Sequence, residues 1–306
     1  MALVDDPRSA FPLGDALQED FEIVWLRERY RPATMAAKDV LALVTTTNAG
    51  ADAALIDAFP ALELVAVAGG HVDRIDSACL AARGIPLCAT PGLSAGDVAD
   101  FAMALILASL RGLCIGDRLV RAGHWGHTVP PLGRSLPGTR LGILGLGSIG
   151  GQLALRAAAF GMDIAYSGPR HKPNTPWPFI GDLARLAGSS DVLAVTCRSG
   201  PKTRGIIDGD VLNLLGPSAV LVSIARGAVD QTALIEALAD DRLGGAALDV
   251  VADEPNAPAV LRRDPRVIVT PHMASKTARA KTASASLIRD NLRAHFAGQR
   301  LLTPVL

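Results

Sequence analysis

The chain has 306 residues, 49% of them hydrophobic and 20% charged, with 30 Lys and Arg set against 30 Asp and Glu. That balance excludes a disordered chain and offers no basic surplus for nucleic acid or an acidic membrane, so neither partner is expected. Cys79, Cys88, Cys114 and Cys197 form no CxxC pair; they are expected to be reduced thiols of a cytoplasmic protein, with no disulfide framework and no metal site.

MALVDDPRSA, at the N-terminus, has neither a basic start nor an apolar core, so no signal peptide is expected. Four apolar runs of strand length follow, FEIVWL, LALVTT, LELVAVA and IPLCAT, with the helically spaced ADAALIDAF among them. SAGD, Ser94 to Asp97, resembles a capping box and predicts a long helix through VADFAMALILASLRGL. Its apolar stretch FAMALILASL is too short to span a bilayer and reads as buried. A loop rich in Gly and Pro, Gly123 to Gly138, leads into a second strand series: RLGILG, MDIAY, DVLAVT, AVLVSI, AALDV and VIVT. IGGQLALRAAAF and DQTALIEALAD are helical patterns between them, and KTARAKTASASLIRDNLRAHFAG is a helix expected to return the chain to its first part. Strands alternating with helices predict an α/β fold of parallel sheets covered on both faces. The expectation is two lobes with a cleft between them. One is a Rossmann-type doubly wound sheet, the other a smaller flavodoxin-like α/β substrate domain. The boundaries expected are 1–95 for the first part of the substrate domain, 96–276 for the dinucleotide domain and 277–306 for the return helix.

GLGSIG, Gly145 to Gly150, follows a strand pattern and opens a helix, the context a dinucleotide motif needs. Gly145 permits the tight turn, Gly147 lets the backbone approach a pyrophosphate, and Gly150 lets helix and strand pack closely. Ser148 and Ile149 complete the helix entry, whose amides and positive dipole end face the phosphates. Without that context the same motif means only a tight turn. Roughly twenty residues on, an NAD site presents an acid to the adenine ribose. AYSGPRHK stands there instead, with Ser167, Arg170, His171 and Lys172. Loss of the acid and gain of an arginine favour a 2′-phosphate, hence NADP (NADPH) and reduction. The alternative is a solvated basic turn.

Three further positions lie at or beyond predicted strand ends, where ligands bind in open α/β sheets. They are Arg226 after AVLVSI, Glu254 after AALDV and His272 after VIVT. An arginine can bind a keto acid, a histidine can protonate its oxygen, and a glutamate can orient the ring. Singly, each has a bland reading as a surface pair, a solvated acid or a cap; together they read as catalytic. Cys197, Arg198, Ile224 and Ala225, at neighbouring strand ends, are expected to wall the cofactor.

These motifs, with SIARGAVD, ALDVVADEP, TPHMAS and the front stretch NAGADAALIDAFPALELVAVAGGHVDRID, resemble the D-isomer-specific 2-hydroxyacid dehydrogenases over nearly the whole chain. Within that family the resemblance is greatest to NADPH-using hydroxypyruvate, glyoxylate and hydroxyphenylpyruvate reductases. It implies that Arg226, Glu254 and His272 are the family's catalytic Arg, Glu and His. It implies that Asp249 contacts the nicotinamide carboxamide and that backbone amides of Gly69, Gly70 and His71 hold the substrate carboxylate. It also implies a homodimer built on the helix and loop of residues 94–138. Two departures stand out: His71 replaces a usual glycine, and Arg198-Ser199-Gly200 replaces a usually Pro-containing segment, placing Arg198 within reach of a 2′-phosphate. The expected activity is reduction of a short 2-keto acid, hydroxypyruvate or glyoxylate before an aryl pyruvate. The rival from another class is a nucleotide-sensing, co-repressor-like scaffold.

Overall fold

The computed structural model describes residues 2–4, 13–14, 16–26 and 37–305. Most of the stretch read for a leader lies outside the described residues; Ala2–Val4 lies inside and forms a strand, β1. It is followed by β2 (Val24–Leu26), β3 (Ala42–Thr46), α1 (Ala53–Asp57), β4 (Leu64–Ala68), α2 (Ser77–Ala82) and β5 (Leu87–Ala89). These strands pair in parallel in the order β2-β1-β3-β4-β5, the flavodoxin-like order. β1 was not among the expected strands, because three apolar residues that run straight into DDPRS are too short to show a period. Along β3 and β4 the two faces alternate. Leu43, Val65 and Val67 pack with Ile56, Leu80 and Leu87, while Ala42, Val44, Leu64 and Ala66 pack on the opposite side. Full burial of a leucine side chain contributes about 1.5–3 kcal/mol, so these short strands are held by their two coats.

The second series comprises α3 (Ala95–Leu110), α4 (Leu113–Arg121), β6 (Arg140–Leu144), α5 (Ser148–Ala159) and β7 (Asp163–Ser167). It continues with α6 (Leu183–Gly188), β8 (Val192–Val195), α7 (Gly209–Leu215), β9 (Val220–Ser223), α8 (Gln231–Ala239), β10 (Gly245–Leu248), α9 (Ala259–Arg263) and β11 (Val267–Val269). The sheet order is β11-β10-β9-β8-β6-β7, all parallel. An isolated parallel bridge joins Tyr166 to Phe179 outside β7. Phe179 therefore stands where a Rossmann sheet has its third strand, reduced here to one bridge. The chain then crosses back through α6 to β8, which pairs with β6 on the side away from β7. The strand order reverses at β6, and the glycine motif follows β6 directly. One face of this sheet is coated by α3 and α5 through Ile106, Leu153 and Ala157, the other through Leu186, Leu212 and Leu234.

The helix expected to run unbroken past Arg111 stops at Leu110. Gly112 takes φ 64°, ψ 28°, a left-handed conformation that ends the α3 path, and α4 leaves at a 65° bend. Among the described residues no single helix is long and apolar enough to cross a membrane. α4 buries none of its residues. Together with the loop after it, α4 exposes Leu113, Val120, Trp125 and Val129, and Leu132 at 98%.

The last helix, α10 (Ala278–Phe296), is capped by Thr277, whose hydroxyl accepts from Ala280 N. Its Ile288 and Leu292 pack against Ala42, Val44, Leu64 and Ala66. Asn291, fully buried on α10, accepts from Leu302 N and Thr303 N and donates to Thr303 Oγ1. That clip lays the tail antiparallel along β5, where Ala89 N donates to Thr303 O and Val305 N to Leu87 O. The chain divides into two compact units, Met1–Ser94 with Lys276–Leu306, and Ala95–Ser275.

Candidate active site

The glycine loop shows why each glycine is there. Gly145 has φ 98°, and a Cβ on it would lie 2.6 Å from the Cα of Cys197. A Cβ on Gly150 would lie 2.2 Å from the Gly145 carbonyl oxygen. Both positions are closed by the protein itself. Gly147 is different: its φ of −81° suits any residue, and a Cβ there would meet nothing within 4 Å. Nothing in the described protein requires a glycine at 147, and the open space beside its backbone suits the close approach of a pyrophosphate. Gly147 is also the N-cap of α5 and offers no side-chain acceptor, so the first-turn amides of Ser148 and Ile149 keep their pull on an anion. The residues present fit a dinucleotide. Cys197 packs against this loop, and burial pushes its thiol up from the ordinary value, so it stays protonated. Ile224 is partly buried and Ala225 buried in the two core layers.

The turn after β7 is held by aromatic packing. Tyr166 is 1% exposed, its ring lies 5.3 Å from that of Phe179, and its hydroxyl accepts from Lys172 N at 2.7 Å. His171 also packs on Phe179, ring centroids 5.5 Å apart. Ser167 was expected to offer its hydroxyl to a phosphate. It is buried instead, with that hydroxyl turned toward the Gly181 carbonyl at 3.5 Å. Arg170, His171 and Lys172 are exposed in this turn. The Lys172 ammonium donates to the Leu146 carbonyl, which brings its charge onto the glycine loop. Arg198 is exposed, and its carbonyl accepts from Thr203 Oγ1.

Three strand ends bring the remaining chemistry together. His272 Nδ1 lies 2.9 Å from Glu254 Oε2. Burial alone would raise the Glu254 pKa, but the hydrogen bond from His272 and the charges of His272 and Arg226 hold it below the ordinary carboxylate value. Arg226 is thus near enough for its charge to be felt at Glu254. With Nδ1 engaged by a carboxylate, Nδ1 carries a hydrogen and Nε2 is left to give or take a proton. Ser199 Oγ donates to the Arg226 carbonyl at 2.9 Å and ties that loop down. Asp249 is 2% exposed, and its carboxylate accepts from Thr270 Oγ1, Met273 N and Ala274 N. Among the described residues no cluster of three His, Cys, Asp or Glu could hold a metal.

In the other unit, Gly69 has φ 142°, and a Cβ on it would lie 1.9 Å from Thr47 Oγ1, so no other residue fits. Its amide was expected to serve a substrate carboxylate. That amide is already given to Thr90 Oγ1 at 2.8 Å, which leaves the exposed Gly70 and His71 as the candidates there. Thr90 in turn bonds Ser284 on α10 at 2.8 Å. Sequence reading missed Tyr166, Ser199, Thr90 and Thr270 as supports. Thr270 lies in TPHMAS and Tyr166 in AYSGPRHK, but neither stretch announces the bond its member makes, and only Tyr166, as a strand residue, carries a signal of burial.

Residues 103–274 match the family model described as D-isomer specific 2-hydroxyacid dehydrogenase, NAD binding domain. The chain is similar to a hydroxyphenylpyruvate reductase of Plectranthus scutellarioides, 40% identical over 303 residues, 96% of this chain and 97% of that one. It is similar to glyoxylate/hydroxypyruvate reductase A of Arabidopsis thaliana, 42% identical over 268 residues, 87% of this chain and 86% of the other. A solved NADPH-dependent glyoxylate/hydroxypyruvate reductase from Sinorhizobium meliloti, in complex with NADP and malonate, superposes with a TM-score of 0.89 at 36% identity, over 99% of this chain and 96% of that one. With the doubly wound sheet, the glycine loop and the paired His272 and Glu254 in the places the motifs require, the chain belongs to the D-isomer specific 2-hydroxyacid dehydrogenase family.

Proposed function

We propose that the chain is an NADPH-dependent reductase of short 2-keto acids, hydroxypyruvate and glyoxylate foremost, yielding D-2-hydroxy acids. The observation that carries this reading is the His272–Glu254 pair at 2.9 Å, with the Arg226 charge felt at the same carboxylate. Bound NADPH supplies the hydride. Arg226 binds the substrate carboxylate and polarises the keto oxygen with its planar fork. His272 gives its Nε2 proton to that oxygen while Glu254 holds the Nδ1 proton and stabilises the charged ring. The keto carbon gains a hydride and the oxygen a proton, and His272 is reprotonated from solvent.

Arg170, exposed after β7 with no acid in its place, supports NADPH over NADH. The Sinorhizobium meliloti relative, described as NADPH-dependent, supports the same preference. The exposed apolar residues of α4 and the following loop, Trp125 at 78% among them, support a homodimer that buries them. Free thiols at Cys79, Cys88, Cys114 and Cys197 suit a cytoplasmic setting.

The likeness to a hydroxyphenylpyruvate reductase favours an aryl pyruvate as the second substrate reading. Following NADPH absorbance with glyoxylate, hydroxypyruvate, hydroxyphenylpyruvate and pyruvate in turn separates them. Highest kcat/KM on the two short acids supports the proposal. Highest kcat/KM on the aryl acid selects the second reading. NADPH binding without turnover on any of them favours a nucleotide-sensing scaffold.

A further inference from the structure

His272 does not sit on regular structure. It has φ 49°, a left-handed backbone that residues other than glycine seldom adopt. Something must hold the turn, and the bonds around it lead to one residue. Asp249, at the end of β10, is 2% exposed. Its Oδ1 accepts from Thr270 Oγ1 at 2.6 Å and from Met273 N at 2.9 Å. Its Oδ2 accepts from Ala274 N at 2.9 Å. Its own carbonyl accepts from His272 N at 3.0 Å. Asp249 thus binds the residue two before the histidine, the histidine itself and the two residues after it.

We infer that Asp249 is the positioning residue of the proton donor: its buried carboxylate builds the left-handed turn that aims His272 at Glu254 and the substrate. Family resemblance gives this aspartate a contact with the nicotinamide carboxamide; the bonds here give it an occupation that exists without any cofactor. A carboxylate suits the task because it accepts on both oxygens and donates nothing. The turn offers two backbone amides and a hydroxyl to one side chain, and a buried amide left without an acceptor is costly. An asparagine cannot do the same. In one orientation its NH2 faces the Ala274 amide; in the other it faces the Met273 amide. Either way donor meets donor.

The inference rests on His272 being the proton donor, so the test has one arm that needs no turnover. Hydrogen exchange of the Met273 and Ala274 amides is measured in cofactor-free protein, for the parent and for Asp249→Asn. Protection in the parent and its loss in the variant is expected; equal exchange in both would overturn the assignment. With cofactor and keto acid, Asp249→Asn should lower kcat about 10- to 100-fold, the scale of a misplaced reacting group. Its Kd for NADPH, to which the carboxamide contact implied by the resemblance contributes, should rise by a smaller factor than kcat falls. Thr270→Val, which removes one donor and keeps the shape, should lower kcat by a smaller factor, and Thr270→Ser should restore it. If Asp249→Asn does not fold, the Thr270 pair decides. A large loss of NADPH affinity with kcat unchanged at saturating NADPH would assign the carboxylate to the cofactor and overturn the inference. If the parent reduces no keto acid, the proposed function fails, while the exchange measurement still judges the turn.

Discussion

Nδ1 of His272 lies 2.9 Å from Oε2 of Glu254, so the ring's second nitrogen is the one that can face a substrate. His272→Ala removes the proposed proton donor and should lower kcat by about 10²- to 10⁴-fold, the usual contribution of a general acid. NADPH should still bind, as measured by quenching of protein fluorescence. Near-normal turnover in folded protein would take the acid role away from His272.

Glu254 gives a prediction with a sign. Its folded pKa lies below the ordinary value, so the stabilisation it exchanges with His272 is present above that ordinary value and is lost as pH falls through the depressed one. Glu254→Gln removes the negative charge that favours the imidazolium. The pH profile of keto acid reduction should therefore move toward lower pH, with turnover near neutral pH reduced most. A profile that does not move would assign the histidine's protonation to another group.

The glycine loop separates folding from binding. Gly147→Ala meets open space and an ordinary φ, so thermal unfolding should change by no more than a weaker helix cap costs, about 1 kcal/mol or less. NADPH affinity should nevertheless fall by an order of magnitude or more, because the methyl would stand where the pyrophosphate is proposed to approach. Gly145→Ala, which drives a methyl into the Cys197 backbone at φ 98°, should lose stability itself. The same affinity in Gly147→Ala as in the parent would contradict the reading of this loop.

Arg170 and Lys172 are both exposed in one turn, and the proposal gives them different tasks. Arg170→Ala should weaken NADPH by about 1.5–3 kcal/mol, the range of a hydrogen bond to a charged group, and leave NADH unchanged. Lys172, whose ammonium bonds the Leu146 carbonyl, should act on what both cofactors share. Lys172→Met is expected to weaken NADPH and NADH by similar factors. Dissociation constants of both cofactors for both variants check the pair of statements.

Much of this architecture was legible in the sequence because its signals are local. Ten apolar runs marked ten strands, and the glycine motif, Arg226, Glu254 and His272 each stood beside one of them. What stayed hidden depends on distance along the chain. Asn291 clips a tail that pairs with β5, and the Gly69 amide is spent on Thr90; neither bond has a sequence period. Ser167 shows the limit most clearly. The sequence reading puts it after the strand, whereas it is the last residue of β7, and the direction of its hydroxyl follows from β7 packing and not from the residue type. The break at Gly112 was a local signal outweighed by the apolar run before it.

Away from the site, Arg140 grips Asp191 with its guanidinium and its backbone amide, at 2.7, 3.0 and 2.8 Å. The guanidinium hydrogen bond is the chief reason that the Asp191 carboxyl is held down at about 2. A depressed carboxylate contributes stability above its unfolded value of 3.8 and loses it as pH falls toward about 2. Asp191→Asn should therefore cost about 1–2 kcal/mol near neutral pH, allowing for solvent screening. The difference should shrink across that acid window, as urea unfolding at a series of pH values would record.

The product of the proposed reaction reports on it without an intermediary. Purified protein is incubated with NADPH and hydroxypyruvate, NADPH loss is followed by absorbance, and the hydroxy acid formed is resolved by chiral chromatography. One D-2-hydroxy acid for each NADPH consumed is the predicted result, with Arg226→Lys forming far less of it. An L product, or no NADPH consumption by folded protein that binds NADPH, would contradict the account.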